Sequence, residues 1–141
     1  MYRKRQSLGF LGMLMVALFV LSACDGANSS SWRNVRNNVE EVLPYNGGFS
    51  ISVDSATSGR RNRTFEMTQD QLDYMLVLSE SESGSIILTI SQDGKLDGSE
   101  TVLDVSNFRE GISLANMEPG PIRFSLEFED IVNSNTLIRW R

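Results

Sequence analysis

The stretch Ile122-Arg123-Phe124-Ser125-Leu126-Glu127-Phe128-Glu129 alternates apolar and polar side chains without a break. Successive side chains of a β-strand point to opposite faces of a sheet, so a period of two predicts a strand with one buried and one solvated face. An amphipathic helix would instead place its apolar residues three or four positions apart. This stretch therefore indicates a sheet with a hydrophobic inner face.

Similar runs lie on both sides of this stretch. Period-two or β-branched segments occur at residues 49–54, 64–68, 86–90, 101–105 and 136–140. Turn signals separate many of them, at Ser58-Gly59, Ser83-Gly84, Asp93-Gly94, Asp97-Gly98 and Asn133-Ser134-Asn135. About six or seven strands without helices between them predict antiparallel pairing. We expect a mainly β fold, either a small antiparallel sandwich or a partly closed barrel.

One segment, from Trp32 to Leu43, has a different period. At 100° per residue its apolar side chains share a stripe about 100° wide. The residues of that stripe are Trp32, Val35, Val39, Val42 and Leu43. The pattern predicts one N-terminal amphipathic helix packed on the sheet. A charge at Val39 is then expected to cost several kcal/mol, because it would be buried.

The first residues have the layout of a secretory signal. Arg3-Lys4-Arg5 precede a 14-residue apolar run from Leu8 to Leu21. That run is shorter than the ~20 residues that span a bilayer. Two interpretations remain open from this layout, a cleaved signal and an uncleaved membrane helix.

The end of this segment, Leu21-Ser22-Ala23-Cys24, resembles the lipobox of bacterial lipoproteins, where the signal peptide is cut before a cysteine that receives lipid. Cys24 is the single cysteine of the chain. The resemblance implies a signal peptide at residues 1–23, a lipidated Cys24 with a flexible tether at 24–31, and one domain at 32–141. The covalent lipid would be the only non-protein group and membrane lipid the first partner.

The same resemblance implies a location in the cell. The domain would lie in the bacterial cell envelope, anchored on the extracytoplasmic side. Asp25 resembles the inner-membrane retention signal of enterobacterial lipoproteins, so it favours the inner membrane if the organism is Gram-negative. Residues 1–23 hold three basic and no acidic residues, so the remaining chain has 10 Lys and Arg against 18 Asp and Glu, a net charge of −8. This acidic balance argues against nucleic acid as a partner.

The residue types exclude most catalytic chemistry. The chain has no histidine, and its one cysteine is the predicted lipid site. A Ser-His-Asp triad, a Cys-His pair and an ordinary zinc site are therefore excluded. Glu127 and Glu129 share one strand face about 6.6 Å apart, near the carboxylate separations of glycosidases, but we expect them to form the solvated face of an amphipathic strand. We expect no enzyme.

Two charged clusters are candidate contact sites. Asp93, Asp97 and Glu100 surround two Asp-Gly turns and are calcium candidates, although they lack EF-hand spacing. Arg60, Arg61 and Arg63 follow the Ser58-Gly59 turn signal and are predicted at a hairpin tip. There they would contact an anionic surface or an acidic partner.

Taken together, these features favour a membrane-anchored, non-enzymatic binding or envelope-assembly module whose partner is another envelope protein or a glycan. The alternatives are a carbohydrate- or calcium-binding module and, with less support, a carboxylate-based hydrolase.

Overall fold

The computed structural model describes residues 28–92 and 99–140. In this part the chain forms eight strands, one short α-helix and one 3₁₀ turn. The strands are β1 (Ser29–Arg33), β2 (Arg36–Val42), β3 (Gly48–Met67), β4 (Met75–Glu80), β5 (Ser83–Gln92), β6 (Glu100–Asp104), β7 (Phe108–Ile112) and β8 (Gly120–Trp140). The 3₁₀ turn covers Pro44–Asn46 and the helix α1 covers Gln69–Asp73.

The two long strands, β3 and β8, lie side by side at the centre of the fold. They pair antiparallel in one unbroken register, from Gly48 opposite Arg139 to Met67 opposite Gly120. The first half of β3 and the second half of β8 belong to a sheet ordered β2-β3-β8-β4-β7, which we call the first sheet. Their other halves belong to a second sheet ordered β1-β3-β8-β5-β6.

The two sheets are thus halves of one folded structure whose inner faces meet. Residues directly opposite each other in an antiparallel pair share a face of the sheet, which assigns each side chain to the inner or the outer face. The inner faces supply the core, including Phe49, Ile51 and Val53 of the first sheet and Ile86, Leu88, Ile90, Ile122, Phe124 and Leu126 of the second. The predicted mainly β, antiparallel, sandwich-like fold is confirmed, and the sheet is not closed.

The bend between the sheets is built into β8. Its buried residues run Phe128, Ile131 and Ser134, three positions apart rather than two. Between them Asp130 and Asn133 adopt positive φ angles of 48° and 46°. Gly84 of β5 lies against this bend, and a Cβ there would fall 2.4 Å from the Asp130 carbonyl oxygen. A glycine at position 84 is therefore required for the close approach of β5.

The helix predicted from Trp32 to Leu43 is wrong. The segment forms β1 and β2, which both pair antiparallel with β3. Asn34, between the two strands, has a φ of 50°, and asparagine tolerates that left-handed conformation. Val35, Val39 and Val42 are 41%, 65% and 37% exposed, so most of the expected stripe faces solvent. A short helix is marginal alone, and hydrogen bonds to the edge of β3 stabilise the extended form instead.

Two further sequence expectations change with this finding. Ser29–Ser31, expected in the flexible tether, belong to β1. The turn signals Ser58-Gly59 and Asn133-Ser134-Asn135 lie inside β3 and β8 and produce no hairpin. Because β3 continues through residues 60–63, Arg60, Arg61 and Arg63 lie within a strand and not at a hairpin tip.

Candidate functional site

A polar groove of about 680 Å³ crosses the second sheet close to the bend. Four neighbouring strands, β1, β3, β8 and β5, form it. Two rows of directly paired residues cross its floor. One row is Ser31–Arg60–Glu127–Ile87 and the other is Arg33–Ser58–Glu129–Ser85. Each row spans roughly 14 Å, which is three inter-strand spacings of about 4.8 Å.

The middle of the groove holds an ion pair. Arg60 of β3 donates from its guanidinium to the carboxylate of Glu127, its direct partner on β8. The two side chains are 56% and 50% exposed, so the pair stays open to solvent. Such an exposed pair stabilises the fold by ~1 kcal/mol at most, so its charged hydrogen-bonding groups remain usable by a ligand.

The carboxylates of Glu127 and Glu129 lie on the same outer face, as the sequence predicts. Both are exposed, and Asp130 follows them at the bend. Carboxylate oxygens exposed on an open floor can accept hydrogen bonds from a ligand.

Trp32 of β1 lies behind the groove, on the inner face of the second sheet, because it pairs with Gly59, which in turn pairs with the buried Phe128. Its ring lies directly on Gly59, where a Cβ would fall 2.1 Å from a ring carbon. It then reaches Phe128 on the next strand, with ring centroids 5.2 Å apart. A core role for Trp32 was the sequence expectation, and the ring is half-buried against the core. Gly59 therefore provides room for an aromatic ring, which the sequence signal Ser58-Gly59 does not reveal.

Arg61 and Arg63 do not share a surface with Arg60. They lie opposite the buried Leu126 and Phe124, on the inner face of the second sheet. Both donate to the carboxylate of Glu40 on β2, opposite Ile51 on the inner face of the first sheet. The three side chains are only 12–22% exposed. The structure thus separates the predicted arginine cluster into an outer ion pair and an inner cluster.

The remaining predicted sites are mostly outside the described residues. Cys24, Asp93 and Asp97 lie outside them, while Glu100 is exposed at the start of β6. Within residues 28–92 and 99–140 no group of three or more acidic, histidine or cysteine side chains is arranged to hold a metal ion. The helices of that same part are too short or too polar to span a membrane.

One carboxylate has a shifted pKa. The hydroxyl and the backbone N–H of Ser106 both donate to Asp104, at 2.6 and 3.0 Å, and lower the pKa of this carboxyl below its ordinary value of 3.8. Asp104 ends β6 opposite Ile87, so it lies beside the groove rather than in it. Its charge therefore persists at mildly acidic pH next to the candidate site.

The sequence matches no protein-family model and no curated protein. Among solved structures, the enzymatically active domain of tailspike protein 4 of bacteriophage CBA120 is similar with a TM-score of 0.50 and 12% identity, over 81% of this chain and 19% of that one. The module TmCBM61, solved with β-1,4-galactotriose, has a TM-score of 0.44 and 13% identity over 81% and 85% of the two chains.

A family 11 carbohydrate-binding module from Clostridium thermocellum, solved with a β-1,3-1,4-mixed-linked tetrasaccharide, has a TM-score of 0.40 and 8% identity over 82% and 87% of the two chains. At these identities the similarities concern the β-sheet fold alone. The chain spans about a fifth of the tailspike protein's length.

Proposed function

We propose that this protein is a non-enzymatic binding module, held at the bacterial envelope by lipid on Cys24, that binds a glycan in the groove across the second sheet. The observation that carries the proposal is the groove itself. Four strands bring arginine, glutamate and serine side chains together on one open floor, with the apolar side chain of Ile87 among them.

The chemistry of this floor suits a saccharide better than an apolar ligand. Pockets for compact organic ligands are mostly apolar with few polar groups, whereas polar residues dominate here. Guanidinium and carboxylate groups donate to and accept from adjacent hydroxyls in fixed planar geometry. Ile87, which shares the outer face with Glu127, offers an apolar contact for the C–H side of a sugar ring. The open floor also leaves room for a chain that continues beyond it.

Binding without turnover follows from the available residues. The chain has no histidine, and Glu127 is engaged by Arg60. Glu129 is exposed and therefore lacks the apolar surroundings that keep a carboxylic acid protonated. A hydrolase reading would need such a proton donor within the groove. We therefore expect bound glycans to be recovered intact.

The groove is tested by binding of defined oligosaccharides to the full chain purified in detergent. The first probes are β-1,4-galactotriose and a mixed-linked β-1,3-1,4 tetrasaccharide, measured by calorimetry and followed by chromatography for cleavage products. Arg60→Ala and Glu127→Ala should weaken binding at least ~10-fold, as is usual for central contact residues. Arg109→Ala is the matched control, because Arg109 also forms an exposed ion pair, with Glu80, outside the groove.

Two results would contradict the glycan proposal. One is that a broad panel of neutral, acidic and amino glycans leaves the wild-type protein unbound. The other is that Arg60→Ala and Arg109→Ala bind equally well. Appearance of shortened products would replace the non-enzymatic proposal with a hydrolase.

The anchor is tested separately. The lipobox resemblance and the position of the single cysteine support lipidation of Cys24, and Asp25 supports inner-membrane retention in a Gram-negative host. Since β1 begins at Ser29, the five residue steps from Cys24 to Ser29 would hold the domain within about 18 Å of the lipid. Mass spectrometry should find an acylated Cys24 at the mature N-terminus, and Cys24→Ser should abolish it. A mature chain that begins elsewhere would disprove the anchor.

A second candidate function, protein docking, is favoured by the outer face of the first sheet. Leu78 and Leu137 pair directly there, next to Leu76, and all three are only half-buried. A leucine group on an outer sheet face is typical of a protein contact surface. Leu78→Asp should then remove cross-links to an envelope partner while leaving glycan binding unchanged.

A further inference from the structure

Glu40, Arg61 and Arg63 form a cluster between the two sheets, which we call the inner ion cluster. The Nε atoms of both arginines donate to the two oxygens of the single Glu40 carboxylate. Glu40 comes from β2 in the first sheet, and the arginines come from β3 in the second. The cluster therefore joins the sheets at the side where β1 and β2 are the edge strands.

Arg61 extends this cluster to β1. While its Nε faces Glu40, its Nη1 donates to the backbone carbonyl of Ser29 at 2.8 Å. The neighbouring Asn62 amide donates to the Ser29 hydroxyl at 2.9 Å. A continuous path of hydrogen bonds thus leads from β2, through Arg61, to the first residue of β1.

β1 has few other attachments. It is five residues long and pairs on one side only, with β3. Its side chains point alternately inward and outward, and Trp32 is the one large apolar side chain among them. Edge strands with few buried contacts are the parts of a fold that open most easily. The contacts to Ser29 therefore weigh heavily in holding β1 in place.

We infer that Glu40 is a positioning residue for the groove, because it orients Arg61 and thereby holds β1, which supplies Ser31 and Arg33 to the groove. This inference rests on the proposed function. Glu40 does not line the groove, so it would not contact a glycan bound there. Its effect on binding is transmitted through Arg61 and β1.

Loss of the Glu40 charge should disturb the inner ion cluster more than loss of either arginine. Glu40 balances two guanidinium groups that are 12% and 21% exposed, so its removal leaves two confined positive charges facing each other. Like charges repel strongly where water screens them poorly. The planar guanidinium of Arg61 donates in two fixed directions at once, whereas a lysine ammonium on a flexible stem does not match both acceptors.

The test measures amide hydrogen exchange of the full chain in Glu40→Gln, with Glu80→Gln as the matched control. Glu80 also loses an arginine partner, Arg109, but lies on β4 away from β1. Glu40→Gln should accelerate exchange across residues 29–33 by roughly 10-fold or more, with little change in β4 and β7, because local opening rates differ between elements. Glu80→Gln should leave β1 unchanged.

Two additional variants distinguish local opening of β1 from misfolding of the whole domain. Arg61→Lys should reproduce the faster exchange of β1, whereas Arg63→Lys should have a smaller effect, since Arg63 makes no bond to Ser29 in the described residues. Acrylamide quenching gives an independent measure, because Trp140 is buried and Trp32 is the more accessible of the two tryptophans. Quenching should rise in Glu40→Gln and Arg61→Lys.

Glycan affinity decides whether the strand matters for the site. Glu40→Gln should weaken binding at least several-fold, and a bound glycan should in turn slow exchange in β1, since the two effects are thermodynamically linked. Unchanged exchange in β1 would overturn the inference even if wild-type protein binds glycan. Faster exchange with unchanged affinity would also overturn it. If wild-type protein binds no glycan, the proposed function fails, and the exchange data still decide whether Glu40 holds β1.

Discussion

Phe49 and Phe65 belong to the same strand, yet their rings stack across the interior with centroids 5.5 Å apart. This contact exists because β3 bends back on itself, so that its first half faces its second. Phe124 and Trp140 repeat the arrangement on β8, with centroids 5.4 Å apart. The four rings form one aromatic cluster, which holds the two sheets together at the end away from the bend.

Loss of a ring from this cluster should be costly. Phe49 is 1% exposed and contacts the other three rings. Phe49→Ala should therefore reduce the free energy of unfolding by about 3–5 kcal/mol, the usual range for a buried phenylalanine. Phe65→Ala should cost less, because that ring is only half-buried. Urea unfolding followed by circular dichroism measures both, and equal losses would contradict this account of the cluster.

The strand assignment of residues 36–42 gives a second prediction. Val39 lies on the outer face of β2 opposite Ser52 and is largely exposed. Val39→Asp should change stability by less than about 0.5 kcal/mol, as surface substitutions do. Val53→Asp places the same charge in the core and should unfold the domain. Thermal melting compares the two variants. A large loss of stability in Val39→Asp would contradict the assignment of residues 36–42 to β2 and support a helix there.

Gly59 is expected to tolerate no side chain. A methyl group there would overlap the ring of Trp32, so Gly59→Ala should displace the indole and destabilise the fold by roughly 1–3 kcal/mol, as overpacking does. Tryptophan emission should shift to the red as Trp32 moves into water. Gly111 is a useful comparison, because its missing side chain leaves room for the exposed ring of Tyr74. Gly111→Ala should shift no tryptophan emission.

Asp104 gives a prediction for pH dependence. The two hydrogen bonds from Ser106 lower the pKa of Asp104 in the folded protein, so its charged form stabilises the fold. That contribution is fully present above the ordinary pKa and is lost as pH falls through the lowered folded value. Ser106→Ala removes the hydroxyl but keeps the backbone N–H, so it should raise the pKa of Asp104 toward 3.8 and weaken this acid dependence. Carboxyl carbon NMR titration measures the shift, and an unchanged midpoint in the variant would contradict it.

The strands that the sequence predicts best are those with a single buried face. Residues 122–128 reach the core with the expected parity, and the β-branched residues 86–90 lie in β5, which is paired on both sides. The segment from Trp32 to Leu43 misled because Val35, Val39 and Val42 happen to follow helical spacing. Asn34 and Asn37 have φ angles of 50° and 42°, which do not occur in a right-handed helix. The edge of β3 supplies the hydrogen bonds that stabilise the extended form. That edge is a tertiary feature that local spacing does not contain.

Only part of the candidate site could be predicted. The shared face of Glu127 and Glu129 follows directly from strand parity. The pairing of Arg60 with Glu127, and of Arg61 and Arg63 with Glu40, depends on the register between β3 and its neighbours. A register slip of one residue exchanges the two faces of a strand. The sequence alone therefore does not determine which face of the sheet carries each arginine.

The central position of β8 has a consequence for the order of folding. Because β8 pairs with β3, β4 and β5, neither sheet is complete until the last strand of the described chain is in place. Its main partner, β3, lies far earlier in the sequence, and such non-local pairings are slow to form, typically milliseconds to seconds for all-β domains. Pairs such as β2 with β3 and β5 with β6 can form without β8, but their inner faces stay uncovered until it joins them. Removal of Thr136–Trp140 would leave the first sheet without its middle strand.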